Sequence, residues 1–336
     1  MSYLDGAGAD LRRDARLPHP GATHALVVAI EYGGRAPSGP IARYARGDDY
    51  HEILREKLRE LHKWLEEETG QTINARPYVD SGPILERDLA QRAGLGWFGK
   101  NTLLINPQKG SFLFLASLFV EYPLVPDVPF GADRCGTCTR CIEACPTGAI
   151  EAPRVVNASA CISYLTIELK GAIPEQYREQ IGDRVYGCDI CQDVCPYNRK
   201  FSLPLTELRF SARPVLDGMD ARSMATRLLD MSVAEYTESF RRSPMKRAKF
   251  SGLRRNAAVV LGNVGTVDDA PALIAALHDE SPIVRGHAAW ALARIGSVLA
   301  AAALRERLAD EPDAGVREEI ASALGELDSR LDSMSK

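Results

Sequence analysis

Eight cysteines lie within one stretch of the chain, and their spacing is its strongest chemical signal. Cys135, Cys138, Cys141 and Cys145 form the run C-x2-C-x2-C-x3-C, closed by Pro146. Cys188, Cys191 and Cys195 form a second run closed by Pro196, and Cys161 stands between the two. Two-residue gaps let three thiolates of one loop converge on one iron–sulfur cubane. In the bacterial double-cluster pattern, the cysteine before the proline turns away to the other cluster. The spacing therefore assigns Cys135, Cys138, Cys141 and Cys195 to a first [4Fe–4S] cluster, and Cys145, Cys161, Cys188 and Cys191 to a second. No cysteine is left over. Structural zinc asks for two C-x2-C pairs and a longer spacer, and a thioredoxin-like site asks for one pair. Neither accounts for three cysteines in succession before a C-P. The chemistry implied is one-electron transfer.

The bulk composition sets the surroundings of that chemistry. The chain has 336 residues, 45% of them apolar, enough to build two or three cored domains. A secreted disulfide scaffold is shorter and spreads its cysteines, whereas local clustering points to metal in a reducing compartment. No apolar run approaches the roughly 18 residues of a membrane span. The first residues lack the apolar core of a secretory signal. The sequence thus reads as cytoplasmic, without membrane attachment, and nothing in it demands more than a monomer. Net charge is −4, so a nucleic-acid partner needs a local basic patch.

The positioning elements are legible from periodicity. Residues 1–20 read as a loop, and His24–Tyr32 reads as a buried strand. Leu54, Leu58, Leu61 and Leu65 recur at helical spacing and predict an amphipathic helix over Asp49–Thr69. Short strands are expected at Asn74–Val79, Thr102–Ile105 and Phe112–Glu121, with a helix at Ile84–Ala93 near Pro83. This alternation predicts an α/β or α+β domain over residues 1–130, followed by a proline-marked linker. The cysteine module covers 131–200, and a mixed, mainly helical region covers 201–250. From Ser251 the chain repeats itself. Arg254, Leu261 and Val264 recur as Arg285, Leu292 and Ile295, then as Arg317, Leu324 and Leu327, at offsets of 31 and 32 residues. That period in alanine-rich amphipathic helices predicts HEAT-like repeats over 251–330, with a plain helical bundle as the alternative.

Three further features bear on function. RRSPMKRAKFSGLRR, residues 241–255, holds seven basic residues and no acid. It reads as a phosphate-binding patch, or else as an ordinary solvated basic face. GLGWFGK, at Gly94–Lys100, fits G-x-G-x-x-G on paper. It follows a helix and precedes a strand, which is the wrong context for a dinucleotide site. Asp80 and Ser81 precede a helix, where either could cap it.

Long segments of the chain are similar to the epoxyqueuosine reductases, cobalamin-dependent tRNA-modifying enzymes. The resemblance rests on YVDSGPILERDLAQRAGLGWFGKNTLLINPQKGSFLFLASLF (Tyr78–Phe119) and on the double cysteine run. It rests also on CISYLTIE (Cys161–Glu168), GCDICQDVCPYN (Gly187–Asn198) and MKRAKFSGLRRNAAVVLGN (Met245–Asn263). Family members usually carry a further segment before the position of Met1, which implies a cobalamin domain shorter than theirs. The resemblance implies an α+β multidomain protein: an α/β cobalamin-binding domain, a ferredoxin-like double-cluster module and a helical repeat domain. It implies that the clusters reduce cobalamin, and that two electrons and protons convert the epoxide of epoxyqueuosine, at the tRNA wobble position, to the alkene of queuosine. An external low-potential donor must supply the electrons.

The same resemblance gives residues their expected roles. Asp80 matches the proton donor. A donor near neutral pH needs a raised pKa, so partial desolvation is expected there, and Ser81 is left as the helix cap. Tyr3, Arg43, Tyr44, Asp80, Lys100, Asn101, Ser111, Tyr164, Thr166 and Glu168 are expected around cobalamin. Asp49, Tyr50 and His51 fall in a segment, YARGDDYHEIL, that reaches cofactor or base. His51 is a conceivable cobalt ligand, although a free lower face favours reduction of cobalt. Arg241, Arg242, Lys246, Arg247, Lys249, Arg254, Arg255 and Arg285 are expected on the tRNA. The competing readings are a small-molecule reductase of the reductive-dehalogenase kind and a non-catalytic iron–sulfur electron carrier.

Overall fold

The structure is a computed structural model that describes residues 7–296 and 298–334. Tyr3 lies outside the described residues. No helix is long and apolar enough to cross a membrane.

The first domain is built on five short strands, β1 (His24–Glu31), β2 (Ala75–Tyr78), β3 (Trp97–Phe98), β4 (Leu104–Ile105) and β5 (Leu113–Val120). A three-stranded sheet has the order β1-β5-β2, and β3 pairs β4 as a separate ribbon. Both neighbours of β5 run antiparallel to it, with Ala29 opposite Leu115 and Tyr78 opposite Ser117. Antiparallel pairing settles this domain as α+β. Central β5 is buried along most of its length, which explains its unbroken apolar run.

Three helices flank the sheet: α1 (Ala7–Arg13), α2 (Tyr50–Thr69) and α3 (Glu86–Arg92). Helix α1 replaces part of the loop expected over residues 1–20. The leucine stripe of α2 is its core face, where Leu54, Leu58 and Leu65 are buried against Phe114 and Leu118. Asp49 caps α2 through His51 N–H, and Gly70 closes it in the left-handed conformation. Ser81 does not cap α3. The N-cap position falls on Leu85, without a side-chain bond.

The cysteine module is loops and short helices. Residue pairs tie it to the first domain. Arg43 is buried between Asp189 and Asp193, at 3.0 and 2.7 Å. Ser111 bonds Asn198 and Gln192.

Beyond the module, helices Lys249–Val264, Pro282–Ile295 and Ala314–Met334 pack in succession, as the repeat predicts. Their recurring arginine is a packing device. Arg285 is buried, donates to the carbonyls of Asp279 and Glu280, and pairs with Glu311. Arg254 donates to Leu229 and pairs with Asp279, and Arg317 donates to Glu311 and Pro312. Arg255 turns the other way and is fully buried. Its guanidinium donates to the carbonyls of Leu165, Leu169 and Gly171. The Leu165 carbonyl lies in the last turn of the helix Ile162–Ile167 that follows Cys161, and those of Leu169 and Gly171 lie just beyond it, so the cation meets the negative end of the helix dipole. Neighbouring Asn256 donates to Thr166 and Val185. The first repeat helix thereby clamps the cysteine module.

Candidate active site and electron-transfer module

The candidate active site is a cleft of about 610 Å³ at the end of the sheet. Tyr32, Tyr44, Tyr50, Phe98 and Phe114 give it aromatic walls, and Arg12, Asp80, Glu86 and Arg87 supply charge. Tyr50 stacks on Phe114, at 4.3 Å between ring centroids, and on His51 at 4.1 Å. These contacts fix the first turn of α2 against the sheet.

Asp80 sits at the rim, with its side chain 62% exposed. Its φ of +52° is a conformation that non-glycine residues rarely hold, and such strain collects at functional sites. Three neighbours hold it. The Tyr50 hydroxyl donates to Oδ2 at 2.6 Å, His51 Nε2 lies 3.4 Å from the same oxygen, and the Asp80 N–H donates to Glu86 Oε1 at 2.7 Å. His51 Nδ1 lies 2.7 Å from Asp49 Oδ1. Both ring nitrogens therefore face carboxylates, which removes His51 as a cobalt ligand.

The protonation pattern corrects the expectation for Asp80. Its hydrogen bond with His51 lowers the carboxyl below the usual range, outweighing burial, and Tyr50 adds to the effect. Burial acts against the His51 cation, but bonds to Asp49 and Asp80 prevail and raise it to about 9. The proton of this cluster is thus held mainly on His51 at neutral pH. Burial instead raises Glu86 to about 7.

Other expected cofactor contacts are drawn off elsewhere. Of the ten residues, Tyr44 and Asp80 line the cleft. Lys100 Nζ donates to the carbonyls of Gly136 and Cys138, and so braces the first cysteine loop. Asn101 is buried and reaches the Cys191 carbonyl. Thr166 is buried, with its hydroxyl shared between Ile162 O and Gly187 N–H. Ser111 and Arg43 are the domain ties described above. Glu168 pairs with Arg247 at 2.8 Å, and Tyr164 is half-buried and does not line the cleft. Sequence reasoning missed Glu86, Arg87 and Arg12. Only the position of Glu86 in the first turn of a helix beside Asp80 hinted at its role.

The basic stretch divides in two. Arg241, Arg242, Lys246, Arg247 and Lys249 are exposed, whereas Arg255 and Arg285 are buried and Arg254 is part-buried in its ion pair. Two of the exposed set lie beside the rim of the cleft. The Arg242 carbonyl accepts the Asp49 N–H at 2.8 Å, and the Arg247 charge acts on Asp80.

Seven of the eight cysteines gather in two places, and Cys145 Sγ lies 3.7 Å from the Thr147 hydroxyl. Cys135, Cys138, Cys141 and Cys195 ring a cavity of about 240 Å³. Among the described residues, no three such ligands converge closely enough to hold a single metal ion. Four thiols around a void of that size suit a larger group. Cys161 and Cys188 lie near enough to Cys191 to raise it together with burial, which pushes Cys188 to about 11. Buried thiols of this kind ionise when a metal centre supplies positive charge. Gly187 makes close approach possible next to Cys188. Its φ is +72°, and a Cβ there would meet Ala42 Cβ at 2.6 Å and come within 3.5 Å of the Tyr44 ring. Tyr44 is a cleft wall, so the second cysteine group borders the candidate active site.

Comparison with known proteins agrees with this architecture. Residues 134–198 match a "4Fe-4S double cluster binding domain", residues 245–325 match HEAT repeats, and residues 12–81 match "Epoxyqueuosine reductase QueG, DUF1730". The chain is 43% identical over 291 residues to an epoxyqueuosine reductase of Xanthomonas campestris pv. campestris, covering 82% of this chain and 79% of that one. A crystal structure of an epoxyqueuosine reductase with an epoxyqueuosine-modified tRNA-Tyr stem loop matches at TM-score 0.88 and 33% identity, over 98% of this chain and 88% of that one. A Bacillus subtilis epoxyqueuosine reductase, whose catalytic aspartate loop is swung out of the active site, matches at TM-score 0.87 and 33% identity, over 97% of this chain and 88% of that one. The module carries two [4Fe–4S] clusters. The chain belongs to the epoxyqueuosine reductase family.

Proposed function

We propose that this chain reduces epoxyqueuosine to queuosine at the wobble position of tRNA, with cobalamin held in the aromatic cleft. The observation that carries the reading is the join between cleft and basic rim. Exposed Arg242 and Arg247 lie beside the opening that Asp80 guards, on the same exposed basic stretch as Arg241, Lys246 and Lys249. Phosphates held on that rim would bring an unstacked anticodon base to Asp80, and unstacked bases are what proteins read in RNA.

The cleft fits a corrin by shape and lining. Flat aromatic walls suit its macrocycle, and the Arg12 and Arg87 side chains offer donors to its amide rim. Tyr32, Tyr44, Phe98 and Phe114 would hold it and exclude water. When bound, cobalamin supplies a cobalt centre reducing enough to deliver two electrons to the epoxide.

The protein's own residues manage protons. Epoxide opening breaks a C–O bond and places negative charge on the oxygen. Asp80 Oδ2 stands at the rim with Tyr50 and His51 aimed at it, so one proton shared between Asp80 and His51 reaches that oxygen. A second proton lets it leave as water. Two electrons, two protons and the epoxide thus give the alkene and one water. Glu86 is a positioning residue. Its carboxylate accepts the Asp80 N–H and holds the strained loop closed.

The test is nucleoside analysis of epoxyqueuosine-containing tRNA treated with reconstituted protein, cobalamin and a low-potential reductant. Asp80→Asn should bind cobalamin with an unchanged spectrum yet lose most turnover. Full activity in that variant would remove Asp80 from the mechanism.

A further inference from the structure

The two cysteine groups are not equivalent in their surroundings, and the difference sets a direction. The group containing Cys188 and Cys191 faces inward. Cys188 packs beside the core that also holds Tyr44, and a Cβ on neighbouring Gly187 would come within 3.5 Å of the Tyr44 ring. The other group is bordered by cations. Its cavity is lined by exposed Arg134, exposed Arg140 and Lys100, and no acidic residue lines it. Neither Arg134 nor Arg140 makes an ion pair among the described residues. Arg134 instead stacks its cation over Phe130, at 5.3 Å. Of the acids nearby in sequence, Asp133 is neutralised by Arg154 and Glu143 bonds Thr139. A cationic mouth on a protein of net charge −4 marks an attractive field for an anionic partner.

We propose that Arg134 and Arg140 dock an acidic one-electron carrier protein over the first cluster, and that electrons enter there and pass inward to the second. In each encounter the carrier is oxidised by one electron and the first cluster is reduced by one. Two encounters supply the pair that the reaction consumes. Opposite surface charges raise the encounter rate and align the two centres, and salt screens the effect. This inference rests on the cluster assignment and not on the tRNA reading, so it stands or falls separately.

The experiment is anaerobic stopped-flow reduction of the reconstituted protein, without tRNA or cobalamin, followed by bleaching of cluster absorbance. Reduced flavodoxin serves as the acidic carrier, and photoreduced deazaflavin as an uncharged small reductant. The second-order rate with flavodoxin should fall steeply between low and high salt for the unaltered protein, which needs no variant. Arg134→Glu/Arg140→Glu should slow flavodoxin at least about tenfold at low salt. It should leave the deazaflavin rate and the iron content unchanged. Charge reversal at Arg241 and Arg242 should leave the flavodoxin rate unchanged. A salt-independent flavodoxin rate would overturn the proposal. So would equal rates for Arg134→Glu/Arg140→Glu and the unaltered protein, or a rate that follows Arg241 and Arg242.

Discussion

His51 Nε2 lies 3.4 Å from Asp80 Oδ2, and this pair holds its proton mainly on the imidazole. Removing His51 should therefore do more than loosen the site. His51→Gln should lower turnover by about a hundredfold, the size of a general acid–base contribution. It should also let the Asp80 carboxyl return upward towards its ordinary range. With His51 in place, turnover should fall as pH rises through about 9. The sign for stability agrees. A histidine raised from 6.5 to about 9 contributes its ion-pair stabilisation fully below 6.5 and loses it through about 9. A pH–rate profile of kcat checks this. An alkaline limb that is unchanged in His51→Gln would assign that titration to another group.

Glu86 shares the direction of that pH dependence but has a different cause. Burial raises its carboxyl from 4.5 to about 7, so the folded protein loses stability as pH rises through that window. Glu86→Gln should raise the melting temperature at pH 8 and leave it nearly unchanged at pH 4. It should keep much of the activity, because its amide oxygen still accepts the Asp80 N–H. Glu86→Ala removes that acceptor and should lower kcat more than it raises KM. Thermal unfolding at both pH values, with kinetics at one, separates the two effects.

The arginines of the basic stretch should divide by burial. Arg255 is 0% exposed and satisfies carbonyls at and just beyond the end of the Cys161 helix. Arg255→Met leaves those acceptors buried without donors, and should destabilise the fold by about 3 kcal/mol. Lys249→Glu should leave the melting temperature unchanged. It should weaken tRNA binding and lower the slope of log affinity against log salt by about one. Loss of tRNA affinity without loss of stability in Arg255→Met would reverse this division.

How much the sequence discloses depends on how local each feature is. The cysteine runs are local, and the structure groups Cys135, Cys138 and Cys141 with distant Cys195 as the C-P rule requires. The leucine stripe of α2 and the repeat period are local too, and both appear where periodicity places them. Asp80 is different. Its identity is readable, but its protonation depends on a histidine brought to it by the packing of Tyr50 on Phe114. Arg254 and Arg255 show the same limit. Adjacent on one helix, they point about 100° apart, one to a repeat-spanning ion pair and the other to buried carbonyls. Composition alone counts both as surface charge. Lys100, Ser111 and Thr166 carry polar groups that a cofactor could use, yet backbone carbonyls and neighbouring amides claim them first.

Ligand assignment can be tested by iron content. Cys195→Ala should lower the reconstituted protein from about eight irons per chain to about four, because it removes a ligand of one cluster only. Cys145→Ala should lose the other four.

Removal of the epoxide oxygen of a tRNA base in this cleft can be measured in one turnover. The direct measurement is a single-turnover reaction of reconstituted, cobalamin-loaded protein with epoxyqueuosine-containing tRNA, digested and read by mass spectrometry. The expected result is loss of the epoxyqueuosine nucleoside and a matching gain of queuosine, lighter by one oxygen. Unchanged epoxyqueuosine, with tRNA bound, cobalamin reduced and both clusters present, would contradict it.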